Sequence, residues 1–239
     1  MNSFLELKNT SLSYQNHGRK TIVCESLNAS FPERQVSVLL GSSGVGKTTL
    51  LSYVAGILPG EGEILFEEKR IDLLPANQRE IAYVTQDYRL YPHMTVFENI
   101  AFPLRLMHAS REEIEKRVGE IAERLGIAIL LSRKPKQLSG GQQQKIALAR
   151  SLVWNPSILL LDEPFSGLDP NSRGECRRYF QKILHEFPLT TLLVTHSWDD
   201  AMALGDRVFV LQNGKIAFEG TPFDAAQSPY LPAFSEVRP

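Results

Sequence analysis

Val36-Ser37-Val38-Leu39-Leu40-Gly41-Ser42-Ser43-Gly44-Val45-Gly46-Lys47-Thr48-Thr49 is the stretch from which the fold can be read. Its first five residues are apolar apart from Ser37 and read as a buried strand. Gly41 to Thr48 fits G-x-x-x-x-G-K-[ST], and Thr48 to Ala55 permits a helix. Glycines let a backbone wrap closely round phosphates with several N–H groups pointing inward. The following helix adds its positive N-terminal end. In such a loop Gly41, Ser42, Ser43, Gly44, Val45, Gly46 and Thr49 form the cradle. Lys47 reaches the β- and γ-phosphates, and the Thr48 hydroxyl binds Mg²⁺. This motif alone leaves kinase, GTPase and motor open.

Further apolar runs also end at polar residues. Ile158 to Leu161 leads into Asp162 and Glu163, Ile81 to Val84 leads to Gln86, and Leu192 to Thr195 leads to His196. Ligands of open α/β sheets gather outside the carboxyl ends of the strands, so four separate segments aim polar groups at what could be one edge. An acid at a strand end, as at Asp162, can hold the far side of Mg²⁺. A second acid beside it, as at Glu163, can orient and deprotonate an attacking water. Acids after apolar runs are common, and this pair gains meaning from the glycine loop upstream.

Short apolar runs alternating with longer helical patterns predict an α/β fold. The middle differs. Ser110 and Glu113 form a capping-box pattern, Ile114, Val118, Ile121, Ala122 and Leu125 recur at helical spacing, and Gly126 is a stop. A mostly helical lobe over about 88–156 is expected. Both chain ends read as antiparallel β-structure. Asn213-Gly214 between Val208–Leu211 and Lys215–Phe218 predicts a hairpin, and Phe4–Leu7 and Glu63–Phe66 are short strands. One nucleotide-binding domain over 1–222 and an irregular tail over 223–239 follow.

Composition narrows the function. Lys and Arg total 26 against 27 Asp and Glu, a net charge of −1 in 239 residues, which lacks the basic surplus of a nucleic-acid binder. Cys24 and Cys176 have no metal or disulfide spacing. The remaining histidines, His17, His93, His108 and His185, show no metal spacing either. No apolar run approaches the roughly 20 residues of a membrane span, and Met1 to Lys8 has no apolar leader core. Work at a membrane would require another polypeptide for the crossing.

Leu138-Ser139-Gly140-Gly141-Gln142 precedes a helical pattern, with Ser139 as a good N-cap and glycines that expose backbone N–H groups as a second anion site. About twenty residues before the Asp162 strand, this segment resembles the signature of the ATP-binding-cassette family. The resemblance runs from about Leu5 to Pro222. It implies a P-loop NTPase α/β core with an antiparallel β-subdomain and a helical signature subdomain. It also implies that Ser139, Gly140, Gly141 and Gln142 read the γ-phosphate of ATP held by an opposite subunit. Tyr14 then resembles the aromatic that stacks on adenine, and Gln86 the Q-loop glutamine that also faces the metal. Ser166-Gly-Leu-Asp169 resembles the D-loop, and His196 the switch histidine. ATP and Mg²⁺ are the implied cofactors, with Lys47, Gln86, Glu163 and His196 as the catalytic set.

The segment Tyr91-Pro-His-Met-Thr-Val96 with Glu98-Asn99-Ile100 resembles the coupling region of bacterial importer ATPases for sugars, polyamines and inorganic ions. This implies an ATPase subunit on the cytoplasmic face of the plasma membrane. Its partners would be a second cassette, permease subunits and a substrate-binding protein, without nucleic acid. The extra regulatory β-domain of many such importers is not expected after Gly220-Thr-Pro222. His196-Ser-Trp-Asp-Asp200 departs from the family's His-Asp followed by an acidic pair, and Pro32-Glu-Arg-Gln35 lacks the usual glycine. An exporter ATPase, a non-transport cassette ATPase and an ATP-binding regulatory subunit without turnover are the alternatives.

Overall fold

The computed structural model describes residues 3–16 and 19–230. His17 and residues 231–239 of the expected tail lie outside the described residues. Three five- or six-residue segments form the centre of the fold: β3 (Val36–Leu40), β7 (Ile158–Asp162) and β8 (Thr190–Thr195), every residue of which is buried. Burial on both faces is what a continuous apolar run encodes, and it suits a parallel sheet covered on both sides. With β6 (Ile81–Val84), β9 (Arg207–Gln212) and β10 (Lys215–Gly220) they make a six-stranded sheet of order β10-β9-β3-β8-β7-β6. All neighbours in it pair in parallel except the β9–β10 hairpin. Asn213 and Gly214 turn that hairpin with φ of 50° and 72°, the positive values a two-residue type I′ turn needs.

Alternation along the strands divides the core. Leu159 and Leu161 face one apolar layer, Ile158 and Leu160 the other. The second layer is closed by helix α1 (Lys47–Val54) and by a four-stranded antiparallel sheet. That sheet has the order β2-β1-β4-β5 and is built from β1 (Ser3–Asn16), β2 (Arg19–Pro32), β4 (Glu61–Phe66) and β5 (Lys69–Arg70). The first layer is covered by α2 (Val96–Leu106), α3 (Arg111–Arg124), α4 (Gly140–Leu152), α5 (Pro170–Glu186) and α6 (Trp198–Leu204).

Caps fix the helix starts. Thr95 and Ser139 each make both halves of a capping box, with Glu98 and Gln142 respectively. Ser110 makes only half of one: it accepts the Glu113 N–H, whereas the Glu113 carboxylate pairs with Arg117 at 2.7 Å. The tail expected to be irregular from 223 begins instead inside α7 (Pro222–Ala226), capped by Thr221 and Asp224. Proline at the first helical position is pre-set for this turn. Ser197, where the importer pattern has Asp, caps α6 by accepting the Asp200 N–H at 3.4 Å. Ser and Asp are interchangeable in that job, so the departure conserves the local structure.

One buried cation ties α1 to its surroundings. Arg79, 7% exposed, donates to the carbonyls of Leu74, Tyr53 and Val54 at 2.9 Å each and of Asp72 at 3.0 Å. The Tyr53 and Val54 carbonyls are at the C-terminus of α1, where intrahelical donors run out; the Tyr53 carbonyl also accepts from Gly56 N at 2.9 Å. Gly56, at φ 77°, lets the guanidinium lie against the chain; a Cβ there would stand 2.7 Å from Arg79 Nε. Among the described residues no helix is long and apolar enough to cross a membrane.

Candidate nucleotide site

The parallel strands β3, β6, β7 and β8 all point the same way, so their carboxyl ends bring Gly41, Gln86, Asp162, Glu163 and His196 to one edge. The glycine loop leaves β3 and enters α1 through Gly46, which holds φ 105°. A Cβ at Gly46 would stand 2.1 Å from Val23 Cγ1 on β2, so both the dihedral and the close approach require glycine. Gly44 (φ 80°) makes the other left-handed turn of the loop.

Lys47 is buried, and its ammonium donates to the carbonyls of Gly41 at 2.7 Å and Ser42 at 3.0 Å. It also stands 3.8 Å from Glu163 Oε1. Burial holds its pKa below the ordinary lysine range, against the opposing pull of the Glu163 and Asp162 charges. Thr48 Oγ1 donates to Asp162 Oδ1 at 2.9 Å. That geometry commits the hydroxyl proton to the carboxylate and leaves the oxygen's lone pairs for a cation. Two hard oxygen donors plus substrate phosphates is how Mg²⁺ is ordinarily held, and the pair fits that ion. Among the described residues no larger cluster of His, Cys, Asp and Glu could hold a metal.

Glu163 has a left-handed backbone, φ 46°, unusual for a side chain of its size. Two contacts impose it. Its N–H continues the ladder to Val194 O at 2.9 Å, and its carbonyl accepts from Ser166 N at 3.1 Å and Ser166 Oγ at 2.8 Å. The carboxylate thereby turns toward Lys47 on one side and His196 on the other. Nδ1 of His196 is 2.9 Å from each Glu163 oxygen. Because an ionised carboxylate only accepts, that ring nitrogen is the donor.

A cleft of about 290 Å³ opens over these groups. Tyr14, Ser43, Gly44, Gly46, Lys47, Thr48, Thr49, Gln86 and Glu163 line it, so the sheet-edge tyrosine and the strand-end glutamine both reach the glycine loop. Asp162 and His196 join through Thr48 and Glu163. Gly41, Ser42 and Val45 belong to the loop without lining the cleft. Ser139, Gly140, Gly141 and Gln142 do not line it: the Ser139 hydroxyl accepts from Gln142 N at 3.3 Å at the exposed start of α4. Asp169 is also outside, capping α5 through the N–H groups of Asn171 and Ser172.

Several contributors were not singled out in the sequence. Gln144, wholly buried on α4, donates to Pro164 O next to Glu163 and accepts from Cys176 Sγ. Tyr88 donates to the same Pro164 carbonyl at 3.2 Å. Arg150 captures the carbonyls of Tyr88 and Arg89, both at 2.9 Å. The helix that begins at Ser139 is thus bonded to the chain just beyond Gln86 and just beyond Glu163. Asn99, which the coupling resemblance includes without a structural role, knits the segment before α2, accepting from Tyr91 N at 2.8 Å and donating to the carbonyls of Tyr91, Met94 and Thr95. Periodicity marks such polar residues only as interruptions of an apolar face, a signal without direction.

Residues 24–166 match the ABC transporter family. A molybdate/tungstate import ATP-binding protein of Pyrococcus horikoshii is 46% identical over 193 residues, covering 80% of this chain and 56% of that protein. A trehalose/maltose import ATP-binding protein of Thermococcus litoralis is 42% identical over 219 residues, 89% of this chain and 59% of the relative. The chain therefore spans somewhat over half the length of the curated relatives it matches. The dimeric cassette MJ0796, solved with bound ADP and Pi, is 30% identical with a TM-score of 0.79, covering 91% of this chain and 98% of that one. A match through most of the glycine-loop, helical and Asp162 segments, together with a shared fold, places this chain in the ABC transporter family.

Proposed function

We propose that this chain is the ATP-hydrolysing subunit of a membrane importer, working as one half of a head-to-tail pair of cassettes. The observation that carries the reading is the convergence of Lys47, Thr48, Asp162, Glu163 and His196 at one sheet edge beneath a glycine loop. Phosphoryl transfer to water asks mainly for positioning and charge neutralisation. The loop N–H groups and Lys47 meet the β- and γ-phosphates, and Lys47 must leave the carbonyls of Gly41 and Ser42 to do so. Bound Mg²⁺, held by Thr48 and Asp162 with Gln86 facing it, would supply charge neutralisation. Glu163 accepts the proton of the attacking water, and His196 holds the Glu163 carboxylate and reaches toward the γ-phosphate. Tyr14 offers its exposed ring to the adenine.

The exposed Ser139 start of α4 lies outside the chain's own cleft, which supports its use on a nucleotide held by the other cassette. Import is favoured by the import roles of the relatives and by the Tyr91–Ile100 segment, folded by Asn99 beside the Gln86 loop. Permease subunits would dock there from the membrane, with the chain peripheral on the cytoplasmic face and a substrate-binding protein delivering cargo. Nucleic acid is not part of this reading.

Glu163→Gln tests the chemistry. It should lower steady-state ATPase activity at least about 100-fold, keep ATP binding, and convert monomer to dimer in light scattering with ATP. Undiminished turnover would refute the role of Glu163. Copurification of the tagged chain with a multi-span membrane protein tests transport; a stable association with ribosomal or DNA-repair proteins instead would refute it.

A further inference from the structure

Asp162 is held at both oxygens, and only one of the two bonds belongs to the glycine-loop motif. Thr48 donates to Oδ1 at 2.9 Å, and the phenol of Tyr83 donates to Oδ2 at 3.0 Å. Strand register explains the reach. Tyr83 on β6 pairs with Leu160 on β7, and Asp162 follows two residues later on the same face. That face is covered by α1.

The terminal torsion of a carboxylate is broad and nearly two-fold. A single bond to Thr48 would leave the group free to swing; a second donor on the other oxygen removes that freedom. We propose that Tyr83 is a positioning residue for the metal-nucleotide complex, fixing the Asp162 carboxylate with Oδ1 toward Thr48. This rests on the reading of Asp162 and Thr48 as the metal-facing pair. Phenylalanine at this position would keep the ring against the apolar layer and remove the donor alone.

The test measures binding of a fluorescent ATP analogue to the full chain, in EDTA and across a Mg²⁺ titration. Tyr83→Phe should leave metal-free affinity within about twofold of wild type and raise the half-saturating Mg²⁺ concentration about tenfold, the scale seen when a ligand's outer partner is lost. Electron paramagnetic resonance of Mn²⁺ should show the same loss of affinity without any turnover. Tyr83→Met, which fills the same apolar layer without a donor, should shift the midpoint in the same direction, and stands in if Tyr83→Phe does not fold. A Tyr83→Phe protein with a wild-type Mg²⁺ midpoint overturns the proposal, even if its melting temperature has fallen. The underlying reading fails in a different way: wild-type affinity that ignores Mg²⁺, or Asp162→Asn that keeps the full response, would overturn the metal role of Asp162 itself.

Discussion

Replacing Arg79 with methionine keeps the aliphatic stem and deletes four hydrogen bonds to main-chain carbonyls. A bond from a charged donor is worth about 1.5–3 kcal/mol net, which overstates the loss when summed, because the variant also escapes the desolvation of a guanidinium. Leu74 and Asp72 are half-buried, so water can recapture their carbonyls. The Tyr53 carbonyl keeps the Gly56 N–H at 2.9 Å, whereas the carbonyl of Val54, a wholly buried residue, is left without a donor. An unpaired buried group costs about 1–3 kcal/mol, and with the weakened bonding at the other three carbonyls the expected destabilisation is about 2–4 kcal/mol. With a urea slope of about 3 kcal/mol/M, the unfolding midpoint should fall by about 0.7–1.3 M. Arg79→Lys should recover less than half, since an ammonium cannot spread to four carbonyls. The assay is urea denaturation followed by circular dichroism at fixed protein concentration. A midpoint lowered by less than about 0.3 M would refute the reasoning, because it would mean that the end of α1 finds its donors elsewhere.

Gly46→Ala should reduce ATP affinity at least about tenfold with the protein still folded, since a Cβ there meets Val23 and forces the loop to shift where its N–H groups must converge; isothermal titration calorimetry with ATP checks it. Burial pushes the Cys176 thiol up to about 11 and raises that of Cys24 as well. Both should therefore resist iodoacetamide at pH 8 in the native protein and react in urea, a contrast that mass spectrometry of the labelled peptides will read.

The parallel sheet and glycine loop were legible because burial on both faces leaves unbroken apolar runs, and those runs end at the functional residues. The antiparallel sheet was legible in part: the short strands Phe4–Leu7 and Glu63–Phe66 fall in β1 and β4, whereas the full length of β1 and the whole of β2 were missed. In β1 the buried positions go from Leu5 and Leu7 to Thr10 and Leu12, shifted by a bulge at Asn9, whose φ is 50°. In β2 they are Val23, Cys24, Leu27 and Phe31, broken at Ser26 with φ 51°. An extra residue flips the alternation, and period-two reading loses the strand. The helix at Pro222 had a signal that was passed over, Thr221 and Asp224 three apart around a proline. For the site, Tyr83 was hidden because a tyrosine in a strand run reads as apolar filling. Gln144 and Arg150 were hidden because their partners are backbone atoms of distant segments.

The left-handed backbone at Glu163 sets the direction in which this protein would decay. Holding a non-glycine residue there costs about 1–2 kcal/mol, and glycine or asparagine would sit in the same turn with less strain. Among variants relieved of selection for turnover, those that lose the carboxylate at this position should therefore fold at least as well as the parent. On the proposed reading, the strain at φ 46° is the cost at which the carboxylate is held beside Lys47 for splitting ATP.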